Sequence, residues 1–336
     1  QFEVQKLSFE LNKSLYKSLK LEEQVNSKNK KIHDLLVNHK GFIELTLIEK
    51  NSVLENSKYK FIAKKFSVDD LLVGKNITKY PRSTAYIEFY DDNFFIISGD
   101  GLISFTKFSS FENNLNIKAK IIKSNFHEIV NDSSILEHSF TGVKDFKIID
   151  NYIYLSYSSK IKGNCRNTSI LRAPFNYNTI IFEKFFTPDE CVTDGGSFGI
   201  KGYWNTGGRI INKNKNKIYF THGTYGDELL AQNENSVFGK VLEISKKDKS
   251  FKLVSMGHRN IQGLTKDGEY LIHSEHGPSG GDELNINFTK EKNKKNFGWP
   301  ISSYGEHIGW GADEKIRKKF YKLAPLYKSH KKHGFI

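Results

Sequence analysis

The 336-residue chain is sparing with the residues that decide many folds: it has two cysteines, six prolines, three tryptophans and a single methionine. Two cysteines cannot frame a disulfide-dense miniature fold. Neither Cys165 nor Cys191 has a second Cys or His at ligand spacing, which argues against a cysteine-based metal site. Whether the two pair with each other stays open on sequence, since an oxidising compartment permits it. No segment reaches the roughly 18 consecutive apolar residues of a membrane-spanning helix. Acid is the scarcer charge: 38 Asp and Glu against 51 Lys and Arg leave a formal net charge of +13. The basic residues are dispersed, without the clustered arginines and interleaved aromatics of a nucleic-acid groove, so nucleic acid is not an expected partner.

What is present favours strands. The chain holds 26 phenylalanines and 16 tyrosines, residue types that suit a pleated, half-buried surface. Four hairpins are readable. Tyr86–Phe89 and Phe94–Ser98 flank Asp91-Asp92-Asn93, and Phe146–Ile149 and Tyr152–Tyr157 flank Asp150-Asn151. Arg209–Ile211 and Lys217–Thr221 flank Asn212–Asn216, and Gly263–Thr265 and Glu269–His273 flank Lys266-Asp267-Gly268. Each reads as the inner pair of a propeller blade, although the pattern alone is equally compatible with an irregular β-sandwich.

The first forty residues differ in kind. Val4, Leu11, Val25 and Ile32 occupy one heptad position and Leu7, Leu21 and Leu35 the other, which predicts an amphipathic helix closed by Gly41. It serves either as a coiled-coil stalk able to assemble a homo-oligomer or as a helix packed on the body that follows.

The densest chemistry lies between Ser274 and Gly305. His276-Gly277-Pro278-Ser279-Gly280-Gly281 can continue neither a helix nor a central strand, so it is a loop with exposed carbonyls. Carbonyl oxygens beside Asp282 and Glu283 suit a hard cation such as Ca²⁺. His276 is a candidate for a ligand or acid–base role, against the plainer alternative of a ring packed under the loop. His330 and His333, in a basic run, read as a solvated turn.

Ser274-Glu275-His276-Gly277-Pro278-Ser279-Gly280-Gly281-Asp282-Glu283-Leu284-Asn285, then Asn296-Phe297-Gly298-Trp299-Pro300 and Ser303-Tyr304-Gly305, resemble the hallmark of the soluble quinoprotein glucose dehydrogenase and aldose sugar dehydrogenase family. Gly257-His258-Arg259-Asn260-Ile261-Gln262-Gly263-Leu264 is similar to a second family block, with Ile261 in place of a usual proline. Gly207-Gly208-Arg209-Ile210, Lys217-Ile218-Tyr219-Phe220, Ala231-Gln232 and Gly239-Lys240-Val241 resemble further landmarks in the right order.

The resemblance implies a mainly β fold, a six-bladed β-propeller over residues 41–336 that follows the helix of residues 1–40. It also implies the cofactors pyrroloquinoline quinone (PQQ) and Ca²⁺, and oxidation of an aldose at its anomeric carbon. By that resemblance the main-chain carbonyls of Gly277 and Pro278 hold the ion, with Asp282 and Glu283 nearby, and Arg259, Asn260 and Gln262 line the quinone pocket. Leu323-Ala324-Pro325-Leu326-Tyr327 resembles the lead-in to a further blade, so the propeller is expected to be incomplete at residue 336.

One part of the pattern departs from the family. A histidine four or five residues before the GGR arginine would take the sugar proton, and Asn205 or Trp204 stands there. Thr224 stands where the family has the aspartate that orients this histidine. Asp227 and His222 are the nearest substitutes in sequence. Three readings follow: a sugar dehydrogenase with another base, a catalytically silent propeller that binds a sugar or polysaccharide, or an interaction protein that binds a protein partner. The family habit implies a periplasmic or otherwise extracytoplasmic location, with a signal peptide or membrane anchor preceding Gln1.

Overall fold

A computed structural model describes residues 31, 33–55, 60–68, 85–130, 142–193, 205–278, 281–291 and 294–301. Most of the predicted heptad helix lies outside these residues. Its described end is a π-helical turn, Leu36–Lys40, closed by Gly41 in the left-handed region (φ 73°), whose N–H returns to the carbonyl of Leu36 at 2.7 Å. Leu36 is buried while its neighbour Leu35 is exposed. Among the described residues no helix is long and apolar enough to cross a membrane.

The chain divides into two compact units, residues 1–124 with 133–139 and 177–179, and residues 125–132, 140–176 and 180–336. In the first unit, β1 (Phe42–Glu55), β2 (Lys60–Ser67), β3 (Ala85–Tyr90), β4 (Asn93–Ser98), β5 (Ile103–Lys107) and β6 (Asn116–Ser124) form an antiparallel sheet in the order β2-β1-β6-β5-β4-β3. Alternation sets its buried face: Ile43 and Leu45 on β1 and Ile117, Ala119 and Ile121 on β6 pack with Leu36, Ile96 and Leu102. The β3–β4 hairpin turns at Asp91-Asp92, both at positive φ (46° and 60°), the backbone that matches the twist of paired strands.

In the second unit, β7 (Gly142–Ile149), β8 (Tyr152–Lys162) and β9 (Cys165–Pro174) form a meander; the short strand β10 (Thr179–Ile180) lies between β9 and β11 (Glu183–Phe186) in the chain. Strand β11 pairs with one end of β9, and β12 (Val192–Thr193) with the other. The next sheet is β13 (Gly207–Asn214), β14 (Lys217–His222), β15 (Lys240–Ser245) and β16 (Phe251–Met256), and the last is β17 (Ile261–Asp267), β18 (Tyr270–Glu275) and β19 (Glu283–Phe288). Strand β20 (Lys295–Asn296) runs parallel to β16.

The leading strand of each meander packs against the next: β13 lies beside both β7 and β17. That adjacency of inner strands defines propeller blades, and it decides between a propeller and a sandwich. The interface between the first two sheets buries Tyr154, Ile170, Phe185, Ile210, Ile218, Phe220, Phe238 and Leu242, and the next buries Tyr219, Val241, Ile261 and Leu271. Each such side chain contributes about 1.5–3 kcal/mol of transfer free energy. All four sequence-predicted hairpins are found as β3–β4, β7–β8, β13–β14 and β17–β18.

Cys165 and Cys191 form a disulfide, closing a stretch with sequence separation 26 beside the β9–β12 pairing. The side-chain amide of Asn167 bonds the carbonyls of Pro188 and Glu190 in the same stretch (2.8 and 3.0 Å).

Candidate active site

The sequence motifs converge because each is the connection following or preceding an inner strand. Asn205 and Thr206 lead into β13, and His222 to Tyr225 follow β14. Gly257 to Asn260 join β16 to β17, and His276 to Pro278 follow β18. The parallel pairing of β20 with β16 delivers Phe297 to Trp299 to the same place.

Main-chain bonds tie these segments together: Tyr225 N–H to Asn205 O (3.1 Å), Thr224 N–H to Arg259 O (3.1 Å), His276 N–H to Asn260 O (3.1 Å) and Trp299 N–H to Gly257 O (2.9 Å). Two glycines are required by the closeness of this knitting. A Cβ on Gly223 would lie 1.9 Å from the carbonyl oxygen of Asn205, and one on Gly257 would lie 2.1 Å from Oδ1 of Asn296.

Arg259 and Asn260 sit together as expected, but with distinct duties. Asn260 Oδ1 accepts from the Gly207 N–H (3.1 Å) and from Nε2 of Gln262 (2.9 Å), so it fixes the entry to β13. Arg259 donates Nη1 to the His276 carbonyl (3.1 Å) and lies over the Trp299 ring at 5.5 Å. Its Nε is buried without a hydrogen-bond partner among the described residues. Burial lowers the guanidinium's affinity for its proton, an effect opposed by Glu228, Glu275 and Asp282, and arginine stays charged throughout. A half-buried cation with an open, buried Nε–H donor suits an anionic, oxygen-rich ligand.

Asn205 is buried, at positive φ (61°), and donates Nδ2 to Oε1 of Glu228 at 3.2 Å. The indole Nε1–H of Trp299 donates to the other oxygen of that carboxyl, and Thr224 lies beside it. Glu228 is 3 % exposed, and burial raises its carboxyl above the usual range against the opposing pull of Arg259. Asp227 opens the 3₁₀ turn Glu228–Gln232, so it is Glu228 that meets Asn205. This turn is held from beneath by Lys240, whose ammonium donates to the carbonyls of Leu230 (2.7 Å), Ala231 (3.0 Å) and Phe238 (2.6 Å).

His222, the other substitute in sequence, is committed to structure. It is fully buried, accepts the Thr168 N–H at Nε2 (3.1 Å) and has Nδ1 3.1 Å from the Gly223 carbonyl. Burial lowers its pKa to about 4.

Asp282 Oδ1 accepts the Gly277 N–H at 2.9 Å, drawing together the ends of the loop after β18, and Glu283 Oε2 accepts from Nδ2 of Asn285 (2.9 Å). Residues 279 and 280 lie outside the described residues. His276 is not packed under the loop: its side chain is 58 % exposed, with Nδ1 3.5 Å from Asp282 Oδ2.

Beside Lys144, Asp145 ties β7 to β13, accepting from the Ile210 N–H (2.8 Å) and from Arg209 Nη1 (3.3 Å). Burial, with Arg209 alongside, lowers the Lys144 ammonium to about 7. Glu228 and Lys144 were not singled out from sequence, and Trp299 entered only as part of a motif, without a role. The only signal for Glu228 was an acid inside the Asp227-Glu228-Leu229-Leu230-Ala231-Gln232 run, which reads equally as a solvated turn.

The fold and these loops define a β-propeller with an arginine–asparagine pair, a buried carboxyl and an acidic turn at one end of its inner strands. Residues 140–323 match the family model described as Glucose / Sorbosone dehydrogenase, over half of the chain, and the chain belongs to that family. The chain is 30% identical over 114 residues to the aldose sugar dehydrogenase YliI of Escherichia coli, a match covering 30% of each protein. It is 28% identical over 174 residues to an uncharacterised protein of Synechocystis, covering 46% of this chain and 41% of that protein. The matched stretch thus spans less than half the length of either relative. A crystal structure of glucose dehydrogenase superposes on 70% of this chain and 66% of its own, with a TM-score of 0.50 at 18% identity. That likeness establishes the fold.

Proposed function

We propose that this chain belongs to a PQQ- and calcium-dependent oxidoreductase that oxidises an aldose-type sugar, with Glu228 in place of the family's histidine as proton acceptor. Family membership supports the reaction class, and the buried, open Nε of half-buried Arg259 carries the ligand reading. Arg259 would face a carboxylate or quinone oxygen, Asn260 and Gln262 would hold the pocket floor, and the carbonyls of Gly277 and Pro278 would hold the ion. When bound, the quinone supplies a two-electron acceptor for the sugar.

The chain's own contribution is positional and acid–base. The Asn205 amide and the Trp299 indole fix the Glu228 carboxyl, and burial raises its pKa above the ordinary carboxylate value, which makes it a stronger base than an exposed carboxylate. The Cys165–Cys191 bond supports an oxidising, extracytoplasmic location such as the periplasm.

A second reading is a propeller without turnover that binds a sugar or a protein partner. The amide at Asn205 and the hydroxyl at Thr224 favour it, since neither side chain accepts a proton near neutrality. The full-length protein separates the two readings. With Ca²⁺ and PQQ present, an aldose panel bleaches the quinone absorbance on the first reading and leaves a bound, unreduced quinone on the second. Arg259→Ala should weaken quinone binding in either case.

A further inference from the structure

Behind the loop that carries Arg259 lies a second cluster that the proposed reaction does not use. His258, His273 and Glu275 are 0%, 1% and 5% exposed, and their donor atoms lie within 4.8 Å of one another. His273 and Glu275 are two apart on β18 and therefore point to one face of the strand. His258 comes from the loop after β16.

The hydrogen bonding here is incomplete. Neither ring nitrogen of His273 has a hydrogen-bond partner among the described residues, although both are buried. Buried polar atoms are ordinarily paired, so each such nitrogen asks for an explanation. The contact between His258 Nδ1 and Glu275 Oε1 is 3.3 Å, beyond the usual N–H···O distance of about 2.9–3.0 Å. An edge of about 3.3–3.4 Å is what two donors make when each is about 2.0–2.1 Å from a shared tetrahedral ion.

The surroundings are those of a built site. His258 Nε2 meets Ser255 Oγ at 2.7 Å, which fixes the ring and leaves Nδ1 turned to the cluster. Glu275 is oriented by Asn285 Nδ2 (3.0 Å, to Oε1) and by the Arg259 N–H (2.9 Å, to Oε2). Such outer partners orient ligating imidazoles and carboxylates in metal centres. Phe297 closes the cluster, its ring 4.8 Å from that of His258 and 5.1 Å from that of His273.

We propose that His258, His273 and Glu275 bind a divalent d-block ion of the zinc class, with a water enclosed along with the ion in the fourth position, at a site distinct from the calcium loop. Two imidazoles and one carboxylate match that class, whereas calcium takes six to eight oxygens. Because the cluster is closed to water, the ion is taken up as the chain folds. It ties the loop carrying Arg259 to β18, which leads to Gly277 and Pro278.

The test uses the full-length, untagged protein. Elemental analysis after folding in Zn²⁺ should give one equivalent per chain that excess Ca²⁺ does not displace. Folding in Co²⁺ should give the intense visible absorption of a tetrahedral site. His273→Leu should abolish both signals, and chelator present during folding should lower the thermal midpoint of the wild type but not of the variant. If the variant does not fold, the wild-type metal content and Co²⁺ spectrum decide alone. A metal-free, chelator-insensitive wild type overturns the proposal, as does a His273→Leu protein that retains the ion.

Discussion

The side-chain amide of Asn205 donates to the carboxyl of Glu228 across 3.2 Å. Asn205 is thus a donor whose acceptor is a buried acid. Thr224 lies beside the same carboxyl, and the Trp299 indole N–H donates to it. On the proposed reading, the two residues expected to depart from the family pattern meet at one carboxyl, that of Glu228.

Replacing that acid separates chemistry from binding. Glu228→Gln keeps the shape of the side chain and removes its basicity, so kcat should fall about 10²- to 10⁴-fold with quinone affinity nearly unchanged. Adding Asn205→His with Thr224→Asp should return part of the loss by supplying an imidazole and its orienter. Steady-state kinetics beside a quinone titration read both effects. A Glu228→Gln protein as fast as the wild type would remove Glu228 from the mechanism.

Acid should weaken the fold through the buried His222. Burial lowers His222 to about 4 from an ordinary 6.5. Between pH 6.5 and that value the unfolded chain binds more protons than the folded one, so stability present above 6.5 is lost as the pH falls. With about 1.4 kcal/mol per pH unit, the loss that His222 contributes from pH 7.5 to 5 should be about 2 kcal/mol. Urea midpoints across this range test it, and a flat or rising profile would contradict it.

The disulfide should matter even though it lies in a large unit. Cys165→Ser with Cys191→Ser releases a stretch with sequence separation 26, and the chain-entropy model gives a destabilisation of about 3.5 kcal/mol. Denaturant melts of the double variant measure it. An unchanged midpoint would mean that the Asn167 bonds to Pro188 and Glu190 hold the segment unaided.

Gly223→Ala places a methyl 1.9 Å from the Asn205 carbonyl oxygen, a backbone atom without a rotamer to move. The two loops must separate, at a cost of roughly 1–3 kcal/mol or more. Sugar turnover should fall along with stability, because the separation moves Asn205 away from Glu228. Equal activity and melting temperature in the variant would show these loops to be looser than described.

The inner hairpins were legible because their turns carry local chemistry. Asp91-Asp92 and Asp150-Asn151 adopt the positive φ that tight hairpins need, and residues of these types adopt it readily. Arg259, Asn260 and the Gly277-Pro278 loop were legible as ordered motifs. Glu228 was not, because its importance depends on Asn205 and Trp299, 23 and 71 residues away in sequence. His222 was misleading for the converse reason. As a lone histidine near the motif it suggested chemistry, but the Thr168 amide that occupies its Nε2 comes from β9, 54 residues earlier. The disulfide was compatible with the sequence but undecided by it, since pairing depends on how β9 and β12 meet.

The measurement that bears most directly on the account is a spectral titration of PQQ into the full-length protein in Ca²⁺, followed by aldose, for the wild type and Glu228→Gln. The account predicts that both bind the quinone and that sugar bleaches it rapidly only in the wild type. Failure of the wild type to bind quinone, or equal bleaching in the two proteins, would contradict it.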